Sequence, residues 1–185
     1  EIINNDVLDI DENLLSKTKL IVFGNLPYNI STEILCKWIL NTKKNCWFEQ
    51  LILMFQKEVA DRIIAKFNTK NYGRLSILAN WTLEIEKICD VKPTCFLPVP
   101  KVDSSVLSFK PREKKFKFKN PKNLEIITRV FFMHRRKKIK KAFSQLFNGN
   151  TEIASKLKID LNLRPQNLDF DTYFKIVSEY EKLRG

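Results

Sequence analysis

The sequence predicts an α/β fold followed by a small all-helical domain, and three observations carry that prediction. The first is a strand, tight loop and helix in succession. Leu20 to Phe23 is a short, β-branched apolar run closed by Gly24, which reads as a buried strand. Pro27 cannot continue a strand ladder and holds Leu26 extended, and Ser31-Thr32 before Glu33 reads as a helix N-cap. The second observation is a similar succession from Leu51 to Phe67. The third is a composition shift. Of the chain's 33 Lys and Arg residues, 13 fall between Arg112 and Gly149, opposed there by Glu113 and Glu125 alone. The domain boundary is therefore placed at 112/113, within a transition that extends to Asn120.

In chain order, Glu1 to Ile10 reads as a strand end and a polar turn, with a helical turn around Asp11 to Ser16. Glu33 to Leu40 is helical, with Ile34, Leu35, Trp38 and Ile39 on one side, and Asn41 to Asn45 is a polar loop. Leu51 to Phe55 is a buried strand leading into Gln56. Lys57 to Phe67 has helical spacing, and Glu58 and Arg62 stand four apart as a pair. Asn68 to Gly73 is a loop, Leu75 to Trp81 a helix and Leu83 to Val91 a strand. Pro98 and Pro100 make 94–101 an extended loop before a last strand over 102–109. Helices are expected over 123–132, 135–147, 153–157 and 170–183, with Asp169 capping the last and Asp171 in or near its first turn.

A chain of 185 residues has room for a real core, and its net charge of +12 points to an acidic partner. Its apolar runs are too short to span a bilayer. Cys36, Cys46, Cys89 and Cys95 lack C-x-x-C spacing, and with one histidine a metal site is not expected; reduced structural thiols in a cytosolic protein are. Ile139, Phe143, Leu146 and Phe147 form an apolar stripe. Arg135, Arg136, Lys137, Lys138, Lys140 and Lys141 then fall mostly on the opposite face. With no acids nearby to neutralise it, that face is read as binding RNA phosphates rather than as a solvated surface.

Asn25-Leu26-Pro27-Tyr28 suits amine methylation. The lone pair of an exocyclic base amine is delocalised into the ring and is a poor nucleophile. Two acceptors facing its two N–H groups draw the nitrogen toward tetrahedral geometry. The Asn25 side-chain oxygen and the Leu26 carbonyl are the candidates, and the Tyr28 ring offers a stacking face. On these residues alone, an ordinary Asn-Pro loop stands beside that reading. Asp6 is open between capping a helical turn and a binding role. Phe96 is open between a hydrophobic plug and a binding role. Gln56 and Glu58 are open between structural and site roles.

Phe23-Gly-Asn-Leu-Pro-Tyr-Asn-Ile-Ser-Thr32 closely resembles the adenine-binding motif of the ribosomal RNA adenine dimethyltransferases. Gln56-Lys-Glu-Val-Ala-Asp-Arg62, Tyr72-Gly-Arg-Leu-Ser76 and Phe96-Leu-Pro-Val-Pro-Lys-Val-Asp-Ser104 match in order, and the combination is similar to the bacterial small-subunit, kasugamycin-resistance branch. The large-subunit, macrolide-resistance branch and a non-catalytic RNA-binding or ribosome-assembly module are the alternatives.

The resemblance implies a Rossmann-like class I methyltransferase sheet with S-adenosyl-L-methionine as cofactor. It implies two adjacent adenosines of the 3′-terminal hairpin of small-subunit rRNA, in the pre-30S particle, as substrate. It places Asp6, Val7 and Asn25 at the cofactor. Asn25, Leu26, Pro27, Tyr28 and Phe96 fall at the target base, and the basic helix on the RNA. The chain has four glycines and no G-x-G-x-G loop. Set against the family, it is expected to be an N-terminally truncated portion of the sheet, inactive alone. The Leu20–Phe23 strand is then an open apolar edge, and the chain is expected to associate through it, to swap segments or to be poorly stable.

Overall fold

The computed structural model describes residues 2–42, 46–113 and 116–184; Glu1 and parts of the expected 41–45 loop and basic run (Lys43 to Asn45, Lys114, Lys115) lie outside them. The chain divides into two compact units, Glu1–Ile64 with Thr82–Glu113, and Ala65–Trp81 with Lys114–Gly185. The sequence-based boundary at 112/113 had left 65–81 in the first part. In the structure that segment groups with the second unit.

The first unit is a four-stranded sheet in the order β1-β2-β4-β3. β1 (Leu20–Asn25) pairs in parallel with β2 (Phe48–Gln56), joined through α1 (Ser31–Asn41). The last strand, β4 (Ser104–Pro111), enters antiparallel between β2 and β3 (Leu83–Val91). Leu51, Leu53 and Phe55 of β2 and Leu107 and Phe109 of β4 are fully buried, so the core follows the two central strands. α1 buries Ile34, Leu35, Trp38 and Ile39, the four positions its periodicity marks. α2 (Lys57–Ile63) ends before Phe67, which is exposed, and Glu58 pairs with Arg62 along it.

β1 departs from the expectation of a buried strand closed by Gly24. It continues through Gly24 to Asn25, and its residues alternate between half-buried and exposed. Ile21 is 53% and Phe23 75% exposed, because β1 is an edge strand with one neighbour and one covered face.

The second unit is helical. It holds α3 (Arg74–Thr82, its last residue in the first unit), α4 (Lys122–Met133), α5 (Lys140–Leu146), α6 (Glu152–Lys156) and α7 (Phe170–Arg184). α4 packs on α7 through Phe131 and Phe132 against Tyr173. The buried Glu181 carboxylate accepts from the Lys119 and Asn120 amides at 2.8 and 2.9 Å and from Asn123 Nδ2 at 2.9 Å, tying the start of α4 to α7. Asp169 caps α7 through the Thr172 amide at 2.8 Å.

The continuous helix expected over 135–147 is not formed. α4 ends at Met133, residues 134–139 turn, and α5 starts at Lys140. The Lys137 amide bonds His134 O at 2.8 Å, and the Ile139 amide bonds Leu163 O at 2.8 Å, so a contact distant in sequence takes a donor from the helical ladder.

Candidate target-base site

The site forms where β1 gives way to α1. Asn25 is the last residue of β1, and Pro27 ends the ladder because it has no N–H to donate. The chain then turns, with the Ile30 amide on Pro27 O at 3.2 Å. The residue before α1 is Ile30, with no side-chain cap, which corrects the expectation that Ser31-Thr32 caps the helix. Ser31 is the first helical residue, and its hydroxyl donates back to Tyr28 O at 3.1 Å.

Asn25, Leu26, Pro27 and Tyr28 line a cleft of about 300 Å³ whose remaining walls are Phe96, Pro98 and Pro100. Two segments about 70 residues apart in sequence thus meet at one small concavity beyond the carboxyl end of β1, where open α/β sheets bind ligands. Asn25 is exposed, and Leu26 and Tyr28 are half-buried. Gly24 allows the close packing behind them. A Cβ there would lie 2.7 Å from Leu53 Cδ2 and 3.1 Å from Leu26 Cδ2. The Tyr28 hydroxyl lies 2.7 Å from Ser104 Oγ.

Asp6 is exposed and Val7 half-buried in a turn of the same unit. Asp6 Oδ1 accepts from the Leu8 amide at 2.9 Å, an Asx turn, and the helical turn Glu12–Leu14 is capped by Asp11 instead. The turn is held to α1 by Lys37, whose ammonium donates to Val7 O at 2.8 Å, to Ile10 O and to Glu12 Oε1 at 2.7 Å. Glu12 is buried, and its Oε1 also accepts from Trp38 Nε1 at 2.7 Å. An exposed carboxylate beside the Val7 backbone N–H supplies one acceptor and one donor. That pair is the complement of an adenine edge, so these residues fit the adenine end of S-adenosylmethionine.

Gln56 is half-buried at the start of α2 and stands opposite Ser104 in the ladder, and Glu58 is exposed and paired with Arg62. Neither lines the cleft. Asp90 on β3 is surrounded by donors: Lys87 at 2.6 Å, Ser105 Oγ at 2.5 Å and Lys57 at 3.1 Å. Lys87, then Ser105 and Lys57, hold its carboxyl well below the usual range.

In the second unit, Arg136, Lys137, Lys138, Lys140 and Lys141 are exposed. Lys137, Lys138 and Lys141 line a groove of about 500 Å³ with His134, Met133 and Val130. Arg135 differs. Its guanidinium donates to Gln166 Oε1 at 3.2 Å and to the carbonyls of Thr69 and Lys70, so it braces the turn. Tyr72 is fully buried, and burial, aided by Asp169, pushes its phenol far up.

Cys89 and Cys95 are exposed thiols, and Cys36 and Cys46 are half-buried. Among the described residues no three metal-ligating side chains gather, and no helix is long and apolar enough to cross a membrane.

Sequence reasoning assigned no role to Ser104, Pro98, Pro100, Lys37 or Glu12. The last three residues of the Phe96–Ser104 motif, and its prolines, carried a signal. The pairing of Glu12 with Lys37 across 25 residues carried none.

The chain is similar to known proteins. A family model described as ribosomal RNA adenine dimethylase matches residues 1–182. The chain is 63% identical over all its 185 residues to ribosomal RNA small subunit methyltransferase A of Pelagibacter ubique, spanning 71% of that relative's length. It is 42% identical over 178 residues to the protein of the same name from Ehrlichia ruminantium, spanning 67% of it. Among solved structures, a dimethyladenosine transferase from Plasmodium falciparum shares the fold with a TM-score of 0.80. Its identity is 24%, covering 98% of this chain and 72% of that one. The 23S rRNA methyltransferase ErmE shares it with a TM-score of 0.64 at 19% identity, covering 98% of this chain and 72% of that one.

Proposed function

The chain belongs to the ribosomal RNA adenine dimethylases, and from that premise we propose that the cleft between the Asn25–Tyr28 loop and Phe96 holds the target adenine. The activity is S-adenosylmethionine-dependent dimethylation of adenosine N6 in small-subunit rRNA. We assign its substrate as two adjacent adenosines of the 3′-terminal hairpin, met in the pre-30S particle. The single observation behind the assignment of site residues is the meeting of Asn25, Leu26, Pro27 and Tyr28 with Phe96 at one cleft.

In this reading the base enters beside Tyr28 and Phe96, whose aromatic faces replace its neighbours in the stack. Asn25 Oδ1 and the Leu26 carbonyl each accept one N–H of the amine. They localise the nitrogen lone pair and direct it out of the base plane. Asp6, Val7 and Asn25 would hold S-adenosylmethionine, the first two at its adenine end, and the bound cofactor would supply an electrophilic methyl group on a sulfonium. The amine becomes acidic as its nitrogen gains the fourth bond, so the Asn25 and Leu26 oxygens need only hold the proton until solvent takes it. Most of the acceleration then comes from positioning and fixed dipoles. After the first transfer one N–H remains for one acceptor, which leaves a second transfer open.

Five exposed cations of the second unit, Arg136, Lys137, Lys138, Lys140 and Lys141, are assigned to RNA phosphates. The exposed Ile21 and Phe23 on the edge strand β1 support association of this chain with a second copy. Sedimentation that stays monomeric with rising concentration would remove that part of the reading.

The test is methylation mapping on purified small and large ribosomal subunits with Asn25→Ala. The expected outcome is lost methylation of the small-subunit hairpin with unchanged RNA binding. Unchanged turnover, or methyl groups on the large subunit, overturns the assignment. Calorimetric titration of S-adenosylmethionine into the 185-residue chain shows whether Asp6, Val7 and Asn25 hold the cofactor by themselves.

A further inference from the structure

A ring that stacks on a base is useful only while its plane stays fixed. Tyr28 is half-buried in a loop, and its backbone carbonyl is held by Ser31. The far end of the ring is held by a residue 76 positions away. The Tyr28 hydroxyl and Ser104 Oγ lie 2.7 Å apart, and Ser104 is fully buried.

Ser104 is in turn well braced. It is the first residue of β4, opposite Gln56 on β2 and Val91 on β3. The residue before it is tied to the start of α2, through the Lys57 amide on Asp103 O at 2.9 Å. The residue after it, Ser105, donates to Asp90 Oδ1 at 2.5 Å, and Asp90 pairs with Lys57 and Lys87. Ser104 therefore sits on a stretch of strand tied to two neighbouring elements. Phe96, on the same cleft, has no polar end to be held in this way.

We infer that Ser104 is a positioning residue that locks the Tyr28 ring in the plane on which the target adenine stacks. The inference rests on the base-cleft reading above. It has a consequence specific to dimethylation. The unmethylated amine is held by two N–H bonds as well as by stacking. The monomethylated amine keeps one N–H, so stacking carries more of its orientation. Loosening Tyr28 should therefore slow the second transfer more than the first.

The test uses Ser104→Ala, Tyr28→Phe and the double variant, with two readouts. The first is the ratio of monomethyl to dimethyl adenosine formed on pre-30S particles by the active enzyme. The second is quenching of 2-aminopurine placed at the target position of the RNA hairpin, which reports stacking without any methyl transfer.

Each single variant should raise the ratio about fivefold, the size of effect expected from one neutral hydrogen bond, and weaken the quench. The double variant should be no worse than either single one, and Ser104→Thr, which keeps the hydroxyl, should restore both readouts. Additive effects, or a wild-type ratio in both single variants, overturn the inference. Should Ser104→Ala fail to fold, Tyr28→Phe removes the other partner and decides alone. Tyr28→Ala separates the two levels. If it abolishes transfer while Tyr28→Phe is silent, the cleft stands and the positioning role falls. If it leaves transfer intact, the cleft reading itself falls.

Discussion

The cleft proposed for the target base and the basic turn proposed for RNA phosphates are built in opposite ways. The cleft is a small set of atoms fixed by elements on every side: the end of β1, the start of α1, the Phe96–Pro100 loop and Ser104 on β4. The basic turn at 134–141 is mostly a set of exposed charges on flexible stems; of the six expected RNA contacts, half-buried Arg135 is committed to internal acceptors and exposed Lys138 donates to Asn162 Oδ1 at 2.9 Å. Fixed dipoles act on one geometry and fail together when one is removed. Exposed charges act additively through counterion release and substitute for one another. The difference teaches where to look for sharp losses and where for graded ones.

The sharpest loss is expected at Asn25. Asn25→Ala removes one of two proposed acceptors and should lower methyl transfer by about 10²–10³-fold, read by single-turnover kinetics, with RNA affinity unchanged. An effect of twofold would make the cleft behave like the basic turn and break the comparison.

Next comes the strut that ties the 6–12 turn to α1. Lys37→Met leaves the buried Glu12 carboxylate without its cation and should cost about 3 kcal/mol of stability in urea unfolding. Because Lys37 also holds the Val7 and Ile10 carbonyls, hydrogen exchange at 6–12 should rise while the second unit is unaffected. Loss confined to global stability, with no local change, would mean that the turn holds itself.

Graded effects belong to the basic turn. Replacing Lys137, Lys138 and Lys141 by Ala, singly and then together, should weaken RNA binding stepwise. Each removed phosphate contact should flatten the log–log salt dependence by about 0.7–0.9. The monomethyl to dimethyl ratio should not move. A single lysine that carries the whole effect would give this region the design of the cleft.

The smallest effect is expected at Tyr72, which belongs to a motif as recognisable as the Asn25–Tyr28 loop yet is buried against Phe132 and Phe170. Tyr72→Phe keeps those contacts and should change stability by less than about 1 kcal/mol, with methyl transfer unaltered. A large loss of transfer would give the second unit a direct part in the chemistry.

Much of the fold follows from the order of residues alone. The apolar positions of α1 repeat at helical spacing, and Ile34, Leu35, Trp38 and Ile39 are buried as that spacing requires. The strand, proline-terminated loop and helix around Asn25–Tyr28 depend on φ restriction and missing donors within a few residues, so they too are legible locally. Tertiary structure decided the rest. It made β1 a half-exposed edge, broke the helix expected over 135–147 by drawing the Ile139 amide to Leu163, and grouped 65–81 with the second unit. It alone brought Ser104 to the Tyr28 hydroxyl and Lys37 to Glu12, and it put Phe96, which only the family resemblance had set beside Tyr28, on the same cleft. The division has one physical cause. Dihedral preference and periodicity act over a few residues and are written in sequence neighbours. A hydrogen bond across 76 residues depends on where two strands register, and that is settled only when the whole sheet packs.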